Sequence, residues 1–230
     1  NIIIGGNLWL KMGRRNIINA IDLSSLGLDK IEEDEGGFRI GCMATLHDIE
    51  THEGLNKEFQ NLFKEAVRHI VGVQFRNCAT IGGSIFPKLG FSDVLTAFLA
   101  CDTQVILYKK GEVPLREFIY IPTDNDILTH LYVKKDGRKT AYESFRMTET
   151  DFPTITCAMA KTQDGFETVL GARPKHAEVV VDEVVADAFS SEEVSDYAKR
   201  VIGKLQYGSN IRGSEQFRKQ LSNLVQTSRV

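Results

Sequence analysis

Residues 79–84 read Ala79-Thr80-Ile81-Gly82-Gly83-Ser84, an apolar lead into a glycine pair followed by a small polar residue. The lead reads as a strand, and the glycine pair as a sharp turn with no Cβ between backbone and ligand. Successive N–H groups in such a turn can cradle a phosphate. Thr80 and Ser84 can add hydroxyl donors. The same letters also suit a plain strand-ending turn. A second stretch, Ile3-Ile4-Gly5-Gly6-Asn7, has the same grammar, and two such turns could meet on the two phosphates of one dinucleotide. Neither is G-x-G-x-x-G or G-x-x-x-x-G-K-[ST], so a Rossmann or P-loop reading has no support.

Working outward, Asp93 opens the apolar run Val94, Leu95, Ala97, Phe98, Leu99. It reads either as the N-cap of that helix or as an acceptor for a ligand hydroxyl. Arg146 ends a strand-like run. It is either a solvated strand end or a fixed positive charge over a bound group. Trp9 reads as a packed side chain, with stacking on a ligand as the other option. The five histidines show no zinc-binding spacing.

Asn1 to Ile4 and Ile17 to Leu23 read as strands, Phe38 to Cys42 as a hairpin strand after Gly36-Gly37, and Glu32 to Glu35 as a solvated acidic loop. Thr45 with Asp48 marks a helix start, and Asn61 to Val71 has helical apolar spacing. Lys135-Asp136-Gly137-Arg138 and Asp164-Gly165 each predict a β-hairpin. Two helices, Ser191 to Leu205 and Arg212 to Val225, close the chain. The later part reads as strand hairpins followed by helices, which places a division near residue 123, giving 1–123 and 124–230.

The 230 residues are 42% hydrophobic and 26% charged, enough to bury a core. The formal net charge of -3 gives no field that favours nucleic acid. No apolar run reaches the ~20 residues of a membrane span. Cys42, Cys78, Cys101 and Cys157 form no C-x-x-C pair, which speaks against a zinc ribbon or a self-contained iron–sulfur site and for thiols in a reducing compartment. The start, NIIIGGNLWL, opens directly on an apolar run without an initiator Met, so preceding residues are expected.

Taken together and in order, several of these motifs resemble a family: the FAD-binding subunits of molybdenum hydroxylases, such as the medium subunit of carbon monoxide dehydrogenase and the flavin domain of xanthine dehydrogenase. The likeness rests on Ile4-Gly5-Gly6-Asn7-Leu8, Ile40-Gly41-Cys42-Met43-Ala44-Thr45-Leu46 and Ala79-Thr80-Ile81-Gly82-Gly83-Ser84. Phe91-Ser92-Asp93-Val94-Leu95 with Ala100-Cys101-Asp102, Leu170-Gly171-Ala172-Arg173-Pro174 with Ala177, and Gly213-Ser214-x-x-Phe217-Arg218 extend it along nearly the whole chain. Ser84 stands where the family has Asn or Asp, and Asn7 where it has Thr or His. About one helix and strand of the family pattern would precede Asn1.

The resemblance implies an α+β fold. A two-lobed FAD-binding domain of the vanillyl-alcohol-oxidase type would be followed by a C-terminal three-stranded sheet with helices. Ile3, Ile4, Gly5, Gly6, Asn7 and Leu8, with Ala79, Thr80, Gly82, Gly83 and Ser84, would wrap the FAD pyrophosphate. Asp93 would hold a sugar or ribityl hydroxyl, and Leu128 and Arg146 would lie near the isoalloxazine. No catalytic side chain and no metal are expected here. Molybdopterin and 2Fe-2S clusters would sit on a molybdenum-cofactor subunit and an iron–sulfur subunit, with NAD+ or another acceptor taking the electrons in a cytoplasmic complex. A module that has lost FAD and only bridges partners, and a stand-alone flavin oxidase, are the rival readings.

Overall fold

The computed structural model describes residues 1–14, 16–183 and 190–227. β1 (Ile2–Ile4) pairs in parallel with β2 (Ala20–Asp22). Next come β3 (Ile31–Glu33) and β4 (Gly37–Gly41), then six short helices: α1 (Leu46–Thr51), α2 (Glu53–Glu58), α3 (Leu62–Val67), α4 (Val73–Arg76), α5 (Ile81–Ile85) and α6 (Asp93–Leu99). β5 (Thr103–Leu107), β6 (Gly111–Pro114), α7 (Leu115–Phe118) and β7 (Leu128–Lys134) complete a five-stranded antiparallel sheet of order β3-β4-β7-β5-β6. β8 (Lys139–Phe145), β9 (Ile155–Thr162), β10 (Gly165–Gly171) and β11 (Glu178–Asp182) form a second antiparallel sheet, backed by α8 (Ser191–Gly203) and α9 (Glu215–Thr227). The three strands β8, β9 and β10 thus gain β11 as a fourth at the edge. The acidic run is half strand: Glu32 and Glu33 lie in β3, while Asp34 accepts the Gly36 and Gly37 N–H groups at 2.7 and 2.8 Å and shapes the turn.

Local signals explain several elements. Thr45 and Asp48 exchange both bonds of a capping box at α1, and Ser190 and Glu193 do so at α8. Asp164-Gly165 joins β9 to β10 as a hairpin, with Gly165 at φ 135°. Asp136-Gly137 does not make the expected hairpin. Both edges of β7 are taken, by β4 and by β5, so β8 has nowhere to pair and leaves for the other sheet. Arg138 secures that departure. It is buried, clasps Asp136, and reaches Ala100 O at 2.5 Å and Glu167 at 3.2 Å. Sheet membership therefore changes between Lys134 and Lys139, whereas the division read near residue 123 falls ahead of β7.

α6 is buried on every side and, apart from Asp93 and Thr96, carries apolar side chains. It packs on α3 and α5 and on β9 and β10. Small residues let it approach the second sheet: Thr96 Oγ1 lies 2.9 Å from Thr156 Oγ1, and a Cβ on Gly171 would meet both hydroxyls, at 2.7 and 2.5 Å. Tyr142, Ala158, Val169 and Ala177 of the second half belong to the first core. Ile155, Cys157, Met159 and Leu170 point the other way and pack with Tyr197, Val201, Leu221 and Val225 of α8 and α9. Each fully buried Leu or Phe contributes roughly 1.5–3 kcal/mol, so α6 is a main tie between the halves.

Candidate cofactor site

The loop after β1 closes directly on the segment that enters α5. A Cβ on Gly6 would lie 1.7 Å from Cys78 O, and one on Gly5 would lie 2.5 Å from Thr80 Oγ1. Only glycine permits that approach, so the two glycine pairs meet because neither carries a side chain there. Ile3 and Ile4, in β1, hold the start of the loop. Asn7 follows in the left-handed region at φ 60°, a conformation Asn tolerates. Among the described residues, the N–H groups of Gly6, Asn7 and Leu8 have no protein acceptor.

The second glycine pair differs from its sequence reading. Thr80 is not the end of a strand but the N-cap of α5, its side chain accepting the Gly83 N–H at 3.2 Å. Ala79 O accepts from Leu46 N, and Thr80 forms an isolated bridge with Thr45. The amides beyond are spent inside the protein: Ile81 on Ala44 O at 2.9 Å, Gly82 on Cys42 O at 2.7 Å, Ser84 on Thr80 O at 3.1 Å. Gly82 is a packing glycine, since its Cβ would lie 2.9 Å from Cys42 O. Gly83 is exposed, with only Thr80 Oγ1 near its Cβ position, at 3.1 Å. Ser84 donates its hydroxyl to Thr80 O at 2.9 Å. One turn therefore supplies open donors, and the other a smooth wall.

Ser92, not Asp93, caps α6; its Oγ accepts the Leu95 N–H at 3.0 Å and donates to Ser84 O at 3.3 Å. Asp93 is thereby free for other work. Its Oδ1 accepts the Tyr142 hydroxyl at 2.5 Å and Arg146 Nη2 at 2.7 Å, with both carboxylate and guanidinium buried. Burial pushes the Asp93 carboxyl above its ordinary value, against the charge of Arg146. Burial, and then Asp93 itself, push the Tyr142 phenol well up, so it stays a neutral donor. Arg146 gives Nη1 to Ser144 Oγ at 2.5 Å, while its buried Nε has no partner among the described residues. A buried donor of this kind can be met by a water or by a ligand atom, and Arg218 Nε is in the same condition.

Leu128 is a core side chain at the start of β7. It is linked to the glycine wall through its neighbour, since Thr129 O accepts Cys42 N and Cys42 O accepts Gly82 N. Trp9 is neither core nor solitary. It is 45% exposed, stacks on Phe152 at 5.5 Å between centroids and leans on Phe91 at 5.9 Å. Arg212 covers the Phe152 ring at 4.8 Å and pairs with Asp151. Sequence reasoning missed Tyr142, Ser144 and this aromatic cluster. The signal was present: Tyr142-x-Ser144-x-Arg146 has the period of two that puts all three on one face of a strand.

A cradle that a Cβ would fill, open N–H donors beside it, and a buried guanidinium lacking an acceptor fit a dinucleotide with a polar heterocycle. Fold and site thus define a dinucleotide-cofactor protein of the α+β class. The chain belongs to the family described as the FAD binding domain in molybdopterin dehydrogenase, whose model matches residues 1–133, and its cofactor is FAD. The uncharacterized protein YgfM of Escherichia coli (strain K12) is 27% identical over 152 residues, 66% of this chain and 57% of that protein, so the chain spans little more than half of that relative. The glyceraldehyde dehydrogenase medium chain of Sulfolobus acidocaldarius is 25% identical over 97% of this chain and 86% of its own. A chain of carbon monoxide dehydrogenase from Hydrogenophaga pseudoflava superposes with a TM-score of 0.87 at 21% identity, over 99% of this chain and 87% of that one, which establishes the fold. No helix among the described residues is long and apolar enough to cross a membrane.

Proposed function

We propose that the chain is the FAD-binding, electron-transferring subunit of a molybdenum-hydroxylase-type oxidoreductase. The observation that carries this is the meeting of the two glycine turns, which leaves the Gly6, Asn7 and Leu8 N–H groups open in a chain of an FAD-binding family. Likeness to a dehydrogenase medium chain along nearly the whole length supports the multi-subunit setting. An iron–sulfur subunit and a molybdenum-cofactor subunit are the partners, and NAD+ or another acceptor the destination.

Bound FAD would supply the redox chemistry between the partner clusters and the acceptor. This chain's residues bind and orient it. Ile3 to Leu8 and Ala79 to Ser84 flank the pyrophosphate, with Gly5, Gly6, Gly82 and Gly83 permitting close approach. Asp93 and Arg146 serve the polar part of the flavin, Arg146 through its unclaimed Nε, and Leu128 lines the apolar side. Arg146, its charge countered by Asp93, would serve there as a hydrogen-bond donor.

An absorbance titration with FAD tests this reading. The chain is expected to hold stoichiometric flavin. Gly83→Leu, which adds bulk on the open side of the cradle, is expected to abolish binding while leaving the melting temperature close to that of the unchanged chain. A chain that stays colourless under FAD excess sinks the proposal and favours a module that only bridges partners.

A further inference from the structure

We infer that Tyr142 and Ser144 are positioning residues for FAD, which they never need to touch: they set the orientation of Asp93 and Arg146. The inference rests on the FAD reading above. Tyr142, Ser144 and Arg146 alternate along one face of β8 and its end. The strand register holds them there, with Tyr142 opposite Ala158 and Ser144 opposite Thr156. The Tyr142 ring is part of the first core, so the hydroxyl has a fixed origin. From it runs a chain of bonds: hydroxyl to Asp93 Oδ1 at 2.5 Å, Arg146 Nη2 to the same oxygen at 2.7 Å, and Nη1 to Ser144 Oγ at 2.5 Å. Asp93 comes from α6 and the other three from the second sheet's edge, so the hydroxyl bridges the two halves.

A carboxylate turns easily about its last torsion. Two donors arriving at one oxygen from β8 and its end, opposite the helix that carries the carboxylate, stop that rotation. With Nη1 and Nη2 both held, the guanidinium plane is fixed, and Nε is the nitrogen of this side chain that lacks an acceptor among the described residues. Binding a ligand to a group already held in place avoids the cost of ordering it. Removing the phenol oxygen alone, by Tyr142→Phe, keeps the packing ring and releases the carboxylate.

The test compares FAD dissociation constants and the visible spectrum of bound flavin in the unchanged chain, Tyr142→Phe and Ser144→Ala. Tyr142→Phe is expected to weaken FAD binding about tenfold, equivalent to about 1.4 kcal/mol, and to blur the fine structure of the flavin band. Ser144→Ala, at a half-buried position and tolerant of the change, is expected to move both in the same direction by less. A purely structural role would lower the melting temperature without altering affinity or spectrum, and that result overturns the inference. If Tyr142→Phe fails to fold, an unaltered affinity and spectrum in Ser144→Ala overturns it equally. Absence of flavin binding by the unchanged chain overturns the FAD reading and this inference together; binding that neither substitution disturbs overturns this one alone.

Discussion

Single residues hold the site, and the Asp93–Arg146 pair shows at what energetic risk. Both side chains are buried, so each depends on the other for a counter-charge. Arg146→Met leaves the carboxylate alone in the interior, and the expected loss is about 3–5 kcal/mol in urea unfolding. Adding Asp93→Asn should recover much of that, because the second change removes the orphaned charge. Equal losses in single and double variants would show that the pair is not what holds α6 to β8. The sequence announced Asp93 and Arg146 only one at a time. Their pairing depends on the long-range meeting of α6 with the end of β8, which no local pattern encodes. The glycines were legible as turns, but Gly82 proved a packing glycine and Gly6 a steric necessity. That distinction lies in what stands opposite them, Cys42 and Cys78.

Among the elements, local chemistry was readable wherever an element's fate is decided within a few residues. The capping box at Thr45 and the hairpin at Asp164-Gly165 are of this kind. Asp136-Gly137 was misread because pairing belongs to the strands, and β7 already had two neighbours. The short helices α1 and α4 are joined by a contact with no sequence signature: Arg76 donates to both oxygens of Glu50, at 2.8 and 3.0 Å. Burial works to raise the Glu50 carboxyl, yet the bonds from Arg76 and His47 outweigh it and hold it below the ordinary value. A carboxyl lowered in the folded state binds fewer protons there than in the unfolded chain. Its contribution is present above the unfolded value and is lost as pH falls through the folded one. Urea midpoints measured from about pH 7 to about pH 3 should therefore decline less steeply in Glu50→Gln than in the parent. Parallel curves would remove Glu50 from the acid response.

For the whole molecule, the α+β class and the two-part order were legible, while the seam was not. β7 sits between β4 and β5 in the first sheet. Side chains of β8, β9 and β10 complete the first core, and α6 is enclosed by both halves. Two such halves should unfold together. Near- and far-ultraviolet circular dichroism are expected to give coincident thermal transitions. A fragment ending at residue 123 should yield no folded product, having lost the central strand of its sheet. Two separated transitions, or a folded 1–123 fragment, would show that the halves are independent.

Trp9 is the chain's single tryptophan, placed by Phe91 and Phe152 just beyond the loop of Gly5 and Gly6. Its emission falls where oxidised flavins absorb, so a flavin seated against that loop would drain the excited indole by resonance energy transfer. With flavin so seated, the protein would carry an optical gauge of its own occupancy: dimmer when loaded than when empty, and legible without any dye.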